Sequence, residues 1–519
     1  MNFYIRGWSA MPTSRSTSRW LALAALAVAM LTIGLDTTVL TVALPTLSVD
    51  LGASNAQLQW FASAYTLVLA AVLLPAGSLG DRFGRKRFLL GALVLFGAAS
   101  ALCAYAGSAE TLIAARAALG LGAAIMMPLS MAVVPVLFPD SRERGRALTI
   151  WITSTAIGLP LGPIVGGYLL EHFWWGSIFL INVPLVVVGV LAVALFVPES
   201  RSTHPRPIDF LGILLSSAGL LGLTYGFIRI GDDGWSDLAD WGLIAAGLAV
   251  LALFVARQRR AAYPLIDLGL FHSRGFTLGS TLATVVNFAM FGLLFLVPQF
   301  LQAVGGANAL GTGLRLLPMI GGLLVGTRIG GRVARSVGSG VLIGAGFVVL
   351  AVALGLGAMT TIDTGYGWTA TWIALLGVGM GLALPATMGA AMDALSVERA
   401  GSGSAVVQAL RQAGGTIGVA VLGTVVSSGY QSGLGDAAVH PVSDSVSAGV
   451  AVASQRGDLA LLDTVRTAFV TGMNQTLWVC VAFCAVAAAT AFWLLPRRVV
   501  TPVVPAAPAV AVSESLHAG

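Results

Sequence analysis

Hydrophobic residues fall into long blocks along this chain, separated by short polar connections. Each block runs for about 18–28 residues, the length that an α-helix needs to cross roughly 30 Å of hydrocarbon. The pattern therefore predicts an all-α polytopic membrane protein. We number its fourteen predicted transmembrane helices as spans 1 to 14, at about 20–47, 56–79, 88–108, 110–137, 147–170, 177–197, 210–230, 238–256, 275–302, 310–331, 341–361, 369–392, 400–428 and 467–495.

The arginines mark one side of the predicted membrane. If the N-terminus is cytoplasmic, the connections after spans 2, 4, 6, 8, 10 and 12 lie inside, and each of them holds arginine. The connections after spans 1, 3, 5 and 11 would lie outside and hold neither Lys nor Arg. Because positive charge favours the cytoplasmic side, we predict a multi-pass protein of the cell membrane with cytoplasmic N- and C-termini.

Composition supports this interpretation. Of the 519 residues, 57% are hydrophobic and 10% are charged, whereas soluble domains carry about 25% charged residues. The net charge of +6 could indicate a nucleic-acid partner, but the basic residues sit in short loops beside apolar blocks. We therefore predict contact with the lipid bilayer and none with nucleic acid. The cysteines lie in apolar stretches, which argues against a disulfide framework.

Several kinds of catalytic site are excluded by sequence. The sole lysine, Lys86, follows Arg85, so the chain has no Gly-Lys-Ser/Thr phosphate-binding loop. The five histidines are scattered without zinc-site spacing, and no Gly-x-Ser-x-Gly nucleophile elbow occurs. We predict that the chain is not an enzyme and that it uses neither a cofactor nor a metal.

Three charged residues interrupt the apolar spans. Asp36 lies near the middle of span 1, Arg116 in the outer third of span 4, and Arg411 in span 13 beside Gln408. A charge inside the membrane is expensive and usually faces a cavity or a partner, which makes Asp36 a candidate proton carrier and Arg116 a candidate cavity residue. Alternatives stay open: Asp36 could be a packing acid, Arg116 could snorkel to the lipid surface, and Arg411 could join helices.

Two glycine-rich segments suggest mechanical roles. In span 5, glycines recur at four-residue spacing, so they share one helix face where another backbone can approach closely. Static packing and a hinge-like or sealing helix both fit that spacing. The connection after span 2 is dense in glycine and charge; we call residues 77–85 the latch segment and predict a cytoplasmic charge latch. Its candidate residues are Gly77, Asp81, Arg82, Gly84 and Arg85.

These segments resemble the major facilitator superfamily, and specifically its fourteen-span drug:proton antiporter branch. The resemblance covers nearly the whole chain. It rests on the first-helix motif from Leu35 to Pro45, the loop motif from Gly77 to Leu90, and the helix-4 motif with Arg116. It rests also on Arg411–Ala420 in span 13 and on the antiporter motif of span 5, whose residues are Gly158, Gly162, Pro163, Gly166 and Gly167.

The resemblance implies the major facilitator fold, with two six-helix bundles and two inserted helices between them. Spans 1, 4, 9 and 12 would line a central cavity, and Asp36 and Arg116 would couple transport to protons. The implied segments are a cytoplasmic N-terminal segment (1–19), a first bundle (20–197), inserted helices with linkers (198–274), a second bundle (275–495) that includes an extracellular loop (429–466), and a disordered cytoplasmic tail (496–519).

The expected function is proton-coupled efflux of amphipathic small molecules, such as drugs or antibiotics, by alternating-access antiport. Its partners are protons and the transported molecule; no oligomeric state is predicted. Rival interpretations are a proton-coupled importer of a small nutrient and a membrane scaffold or sensor that does not transport. Candidate substrate-binding residues lie in spans 9 and 13: Asn287, Phe288, Phe291, Phe295, Gln408 and Arg411.

Overall fold

The computed structural model describes residues 14–201, 207, 209–395 and 397–495, and it is helical almost throughout. Residues 1–13 of the predicted N-terminal segment (1–19) and the whole predicted tail (496–519) lie outside the described residues. Among the described residues, the first half of the chain forms nine helices: α1 (Ser14–Asp50), α2 (Asn55–Phe83), α3 (Arg85–Ala104), α4 (Ala109–Leu137), α5 (Ser141–His172), α6 (Ser177–Leu180), α7 (Asn182–Phe196), α8 (Phe210–Asp233) and α9 (Leu238–Gln258).

The second half begins with a short 3-10 helix (Leu268–His272) and contains a second one (Gly435–Ala437). Its α-helices are α10 (Arg274–Ala303), α11 (Ala309–Arg315), α12 (Leu317–Val337), α13 (Ser339–Gly357), α14 (Tyr366–Met392), α15 (Val397–Leu434), α16 (Val446–Arg456) and α17 (Leu459–Leu494).

The prediction of an all-α membrane protein is confirmed. Within the described residues, thirteen segments are long and apolar enough to cross a membrane, and they correspond to all predicted spans except span 5. That span lies in α5, a continuous helix of 32 residues and therefore about 48 Å long. Helix α5 packs along α1 in the interior of the first half.

Two of the predicted spans are each broken into two helices. The break between α6 and α7 falls at Ile181, and Pro184 follows three residues later. The break between α11 and α12 falls at Leu316, just before Pro318. Because proline has no N–H and its ring clashes with the carbonyl four residues earlier, it favours the end of one helix and the start of the next at each of these positions. The first break places Asn182 at the start of α7, inside the membrane region.

Two predicted connections are largely helical. Helix α2 continues through the latch segment to Phe83, and a single residue, Gly84, separates it from α3. The predicted extracellular loop at 429–466 is shorter, because α15 continues to Leu434 and α17 begins at Leu459. Between them lie a 3-10 turn and α16. The apolar spans ended too early in the prediction because helices can continue into polar surroundings.

Two large hydrophobic cores are built mainly from the chain before and after the inserted helices. One is built from residues 22–197, joined by Phe295, Ala409 and Val419 from the second half of the chain. The other is built entirely from residues 282–495. The exact domain bounds given above stay a prediction.

The inserted helices α8 and α9 form a hairpin that is tied at both ends. At one end the Asp209 carboxylate accepts hydrogen bonds from Arg257 Nη2 (3.0 Å) and Gln258 Nε2 (2.9 Å). At the other end Arg229 Nε lies 2.8 Å from Asp240 Oδ1. Both aspartates are buried while the arginines are partly exposed. The hairpin is therefore braced within itself.

The same hairpin also lies against both halves of the protein. Leu220 of α8 packs with Leu67 and Ala70 of α2, while Ala413 and Ile417 of α15 pack against the same cluster. Two turns further along, Ile228 and Phe227 pack between Ala56 of α2 and Ala420 of α15. Helix α8 therefore covers the line along which α2 and α15 meet.

Replacing Asp209 by Asn should loosen this hairpin. Burial acts to raise the pKa of Asp209, but its hydrogen bonds from the Gly212 N–H, Gln258 and Arg257, and the Arg257 charge, outweigh burial and lower the pKa. Its carboxylate therefore contributes stability at neutral pH, and that contribution is lost as pH falls below 3.8 through the lowered pKa. We expect the substitution to reduce stability by about 1.5–3 kcal/mol, as for a hydrogen bond to a charged group.

The check is the thermal unfolding midpoint of the purified protein in detergent. The deficit of Asp209→Asn should be constant from pH 8 to pH 5 and should shrink below about pH 4. Asp237→Asn is the matched control, since Asp237 caps α9 from an exposed position and accepts from Ala239 N alone. An equal deficit in the two variants at every pH would contradict the assignment.

Candidate functional site

The buried charges of α1 and α4 form a direct ion pair. Arg116 Nη1 lies 2.8 Å from Asp36 Oδ2, and the two side chains are 2% and 0% exposed. A buried charge without a partner would destabilise the protein by several kcal/mol, so each group needs the other. The sequence left open whether the two residues touch, and the structure shows that they do. Arg116 therefore does not snorkel to the lipid surface, whereas the interpretation of Asp36 as a hydrogen-bonded packing acid stays open.

Further groups hold the pair from three other helices. Asn182 Nδ2 donates to Asp36 Oδ1 (3.0 Å) and lies 3.2 Å from Ser100 Oγ of α3. Arg116 Nε donates to the backbone carbonyl of Phe61 (3.1 Å), and its guanidinium stacks 4.7 Å from the Tyr65 ring centre. The carboxylate and the guanidinium are thus oriented independently of each other, which fixes both in one geometry.

Sequence reasoning missed Asn182 and Tyr65. Asn182 could have been noticed, because it is an amide in a strongly apolar block, two residues before Pro184. Tyr65 carries no such signal, since one tyrosine in an apolar span is ordinary. The Phe61 carbonyl cannot be read from sequence at all, because any residue supplies one.

A small enclosed cavity touches the ion pair. Its wall includes Arg116 and Tyr65 from the first half and Phe291 and Phe295 from the second, so it lies between the two halves. The space open to water centres is about 20 Å³, room for about one water molecule. Spans 1, 4 and 9 contribute as expected, but spans 2 and 13 replace the expected span 12, which does not line this cavity.

The other predicted substrate residues lie elsewhere. Arg411 Nε and Nη2 donate to Asn287 Oδ1 (3.3 and 3.2 Å), and Nη1 donates to Gln408 Oε1 (3.2 Å). This cluster joins α15 to α10 beside the cavity, as the helix-joining alternative describes. Phe288 packs against Phe483 of α17, with ring centres 5.1 Å apart, and is not part of the cavity wall.

The glycines of span 5 lie on helix faces in close contact. A Cβ atom at Gly158 would lie 2.6 Å from the Leu31 carbonyl oxygen, and one at Gly166 would lie 2.7 Å from Val39 Cγ2. Gly162 faces Thr38 of α1, so these three glycines let α5 and α1 approach closely. The last glycine of the motif, Gly167, faces α11 instead.

Gly167 packs against the other half of the protein. A Cβ atom there would lie 2.6 Å from the Ala309 carbonyl oxygen of α11. Gly313 of α11 in turn faces the Pro163 carbonyl of α5. One motif therefore supports two contacts: α5 with α1 inside the first half, and α5 with α11 between the halves.

The latch segment is held by an acid that the sequence analysis did not single out. Glu199 Oε1 accepts from the backbone N–H of Lys86 (3.1 Å), and the Arg85 backbone N–H donates to Ser200 O (2.9 Å). A carboxylate at the first turn of α3 is favoured by the helix dipole. Gly84 has φ +113°, and a Cβ atom there would lie 2.8 Å from Glu199 Oε1, so glycine is required.

The other described latch residues contact α4 or face the surface. Arg85 Nη1 lies 3.4 Å from the Ala132 carbonyl oxygen of α4, and Gly77 lies beside Pro128 of the same helix. Arg82 is exposed and stacks over Phe83, 5.6 Å from its ring centre. The Asp81 side chain lies outside the described residues. Within the part of the chain that is described, no group of His, Cys, Asp or Glu could hold a metal ion.

Known proteins share this sequence and this architecture. The chain is 35% identical over 94% of its length to the multidrug efflux pump LfrA of Mycolicibacterium smegmatis, of which it covers 98%. It is 31% identical to the tetracenomycin C resistance and export protein of Streptomyces glaucescens, with 91% of each chain covered. Both alignments extend across nearly the whole chain.

Solved structures agree on the fold. A bacterial homologue of the lysosomal transporter Spinster, in an inward-facing and unoccupied conformation, superposes with a TM-score of 0.67 at 17% identity, covering 93% of this chain and 97% of that one. A D-xylose–proton symporter gives 0.61 at 14% identity, covering 92% and 98%. The family model described as Major Facilitator Superfamily matches residues 26–419. The chain belongs to this superfamily of membrane transporters, and it is a transporter rather than an enzyme.

Proposed function

We propose that this protein exports amphipathic small molecules, such as drugs or antibiotics, in exchange for protons. The observation that carries the proposal is the buried Asp36–Arg116 pair on the wall of a cavity between the two halves. The relatives support the efflux direction, since one is called a multidrug efflux pump and another a resistance and export protein. The cavity wall is mostly aliphatic and aromatic, which suits an amphipathic substrate.

The ion pair supplies a mechanism for coupling. A proton that binds Asp36 removes the negative charge that Arg116 faces, and the guanidinium, which lines the cavity, then changes its interaction with a bound substrate. The substrate leaves outward, and deprotonation on the inner side restores the pair. Each proton that moves inward contributes about 2.3 kcal/mol per 100 mV of membrane potential. Asn182 favours the ionised carboxylate, so it helps the cycle to reset.

The described conformation fits the inward-facing stage of such a cycle. The hydrogen bonds described between the halves lie at mid-membrane or toward the predicted outer face. Gln302 Nε2 donates to the Val42 carbonyl (2.9 Å), and Asn308 Nδ2 donates to Glu171 Oε1 (3.0 Å). With cytoplasmic termini, as positive charge in the loops favours, these contacts close the outer exit. The Gly167 contact with α11 belongs to the same closed face.

Exchange through Asp36 is tested with everted membrane vesicles that respiration has acidified inside. Adding a lipophilic drug should discharge the acidity in wild-type vesicles, and Asp36→Asn should reduce this response to that of vesicles without the protein, because the amide cannot carry the proton. Asp50→Asn is the control, since Asp50 is an exposed acid at the end of the same helix. Equal responses from wild type and Asp36→Asn would remove Asp36 as the carrier.

Asn182→Leu should alter how transport depends on pH. The amide donates to the ionised carboxylate, and such a bond is worth about 1.5–3 kcal/mol. Without it, the carboxyl releases its proton less readily. As the pH of the bath around the everted vesicles is lowered, drug-triggered proton release should therefore begin to decline at a higher pH than in wild type. Asn474→Leu is the control, because that amide donates to the Thr360 carbonyl far from the pair. If both variants keep the wild-type pH profile, Asn182 has no part in coupling.

Gly167→Val should hold the outer face open, because its side chain would collide with the α11 backbone. Spin labels at Phe173 and Met359, both exposed near this face, report the separation of the halves by pulsed electron resonance. The variant should show longer label distances than the parent protein. Gly158→Val is the control, since it collides with α1 within one half; equal lengthening in that variant would contradict the assignment.

A further inference from the structure

Helices α2 and α15 bury a row of polar side chains that the mechanism above does not use. On α2 these are Gln59, Ser63 and Thr66; on α15 they are Gln412 and Thr416. All five are at most 9% exposed. We call these five residues the seam stripe, because they lie where the two halves of the protein meet.

The stripe runs from the predicted outer face to the ion pair. Its α2 members are spaced four and three residues apart, so they share one helix face over about 10 Å. Gln59 lies one turn after the start of α2 at Asn55. At the other end Thr66 forms part of the cavity wall together with Arg116, and Thr416 Oγ1 donates to Thr66 Oγ1 (2.9 Å) across the seam.

Most of the stripe has hydrogen-bonding capacity left over. Gln59 Nε2 and Oε1, Ser63 Oγ and Gln412 Oε1 have no hydrogen-bond partner within the described part of the protein. Buried polar atoms are nearly always paired with protein or with water. Apolar side chains would join two helices in lipid with no such penalty, so a row of amides and hydroxyls indicates contact with water during the cycle.

The packing around the stripe separates it from lipid. Gly423 of α15 leaves room for the Gln59 amide, because a Cβ atom at Gly423 would lie 2.5 Å from Gln59 Cδ. On the lipid side, α8 covers the seam, and the Thr424 hydroxyl of α15 donates to the Phe227 carbonyl of α8. Lipid is therefore excluded from the stripe, and its Gln59 end lies nearest the predicted outer face.

We propose that the seam stripe is the water route by which external protons reach Asp36, and that the inserted helix α8 is its lipid seal. The inference rests on the proposed function, in which Asp36 binds a proton from outside. Water and the hydroxyls of Ser63, Thr66 and Thr416 each accept one proton and donate another, so the stripe itself is unchanged after each transfer. The amides of Gln59 and Gln412 hold the water in place.

One test measures the rate of proton transfer separately from drug binding. Ser63→Ala combined with Gln59→Leu should slow drug-triggered proton release in everted vesicles at least tenfold, while the Kd of the drug stays within twofold of wild type. Thr476→Val is the control, because it removes a buried hydroxyl of α17 that donates to its own helix. An unchanged rate of proton release would overturn the proposal. If the rate is unchanged and the Kd of the drug is tenfold weaker, the stripe is a path for the substrate instead.

A second test does not depend on proton coupling. The native residues Cys103, Cys480 and Cys484 are first replaced by Ala. In that background Gln59→Cys and Ser63→Cys should each react with a small, charged, membrane-impermeant thiol reagent added from outside. A cysteine at Leu58, which is buried in the first core at the same height, should stay unreactive. If both stripe positions resist labelling with drug present and absent, the water route is wrong even where antiport is observed. If they react but no drug moves protons, the proposed function fails instead.

Discussion

The architecture around the cavity depends on one electrostatic constraint: two opposite charges are enclosed inside the protein, with side chains only 2% and 0% exposed. Neither Asp36 nor Arg116 can leave the other without exposing an unpaired charge to a low-dielectric interior. The surrounding groups each contact one part of the pair. An amide from α7 takes the second carboxylate oxygen, a backbone carbonyl from α2 takes the guanidinium Nε–H, and an aromatic ring covers its face. Four helices are thereby fixed relative to one another.

In the proposed exchange, the same constraint makes the pair a coupling device. Protonation of Asp36 leaves the Arg116 charge without its partner, so the guanidinium needs another one. The cavity wall shares Arg116 with the pair, so under this proposal a change at the carboxylate reaches the place where a substrate would bind. The close contacts of α5 with α1 and with α11 would then connect this local change to the separation of the two halves.

The sequence predicted the fold well because lipid makes the pattern simple: a spanning helix must be long and apolar. It predicted Asp36 and Arg116 because charges stand out in such segments. It failed where the answer depends on which helix faces which. Asn182, Glu199 and Gln59 matter through neighbours from distant parts of the chain, and the faces of apolar helices carry little information about their partners. Residues 77–85 and 429–466 are more helical than the apolar pattern indicated, because helices extend beyond their apolar parts.

The inserted hairpin has unequal attachments to its two neighbours. It is hydrogen-bonded to α15 through the Thr424 hydroxyl and through Trp235 Nε1, which donates to Ser428 Oγ (3.1 Å). Toward α2 it presents side chains such as Leu220 and Tyr225. Directional bonds hold one position, whereas apolar and aromatic surfaces can slide. When the halves move apart, we therefore expect the hairpin to move together with α15, while α2 slides past the apolar surface of the hairpin.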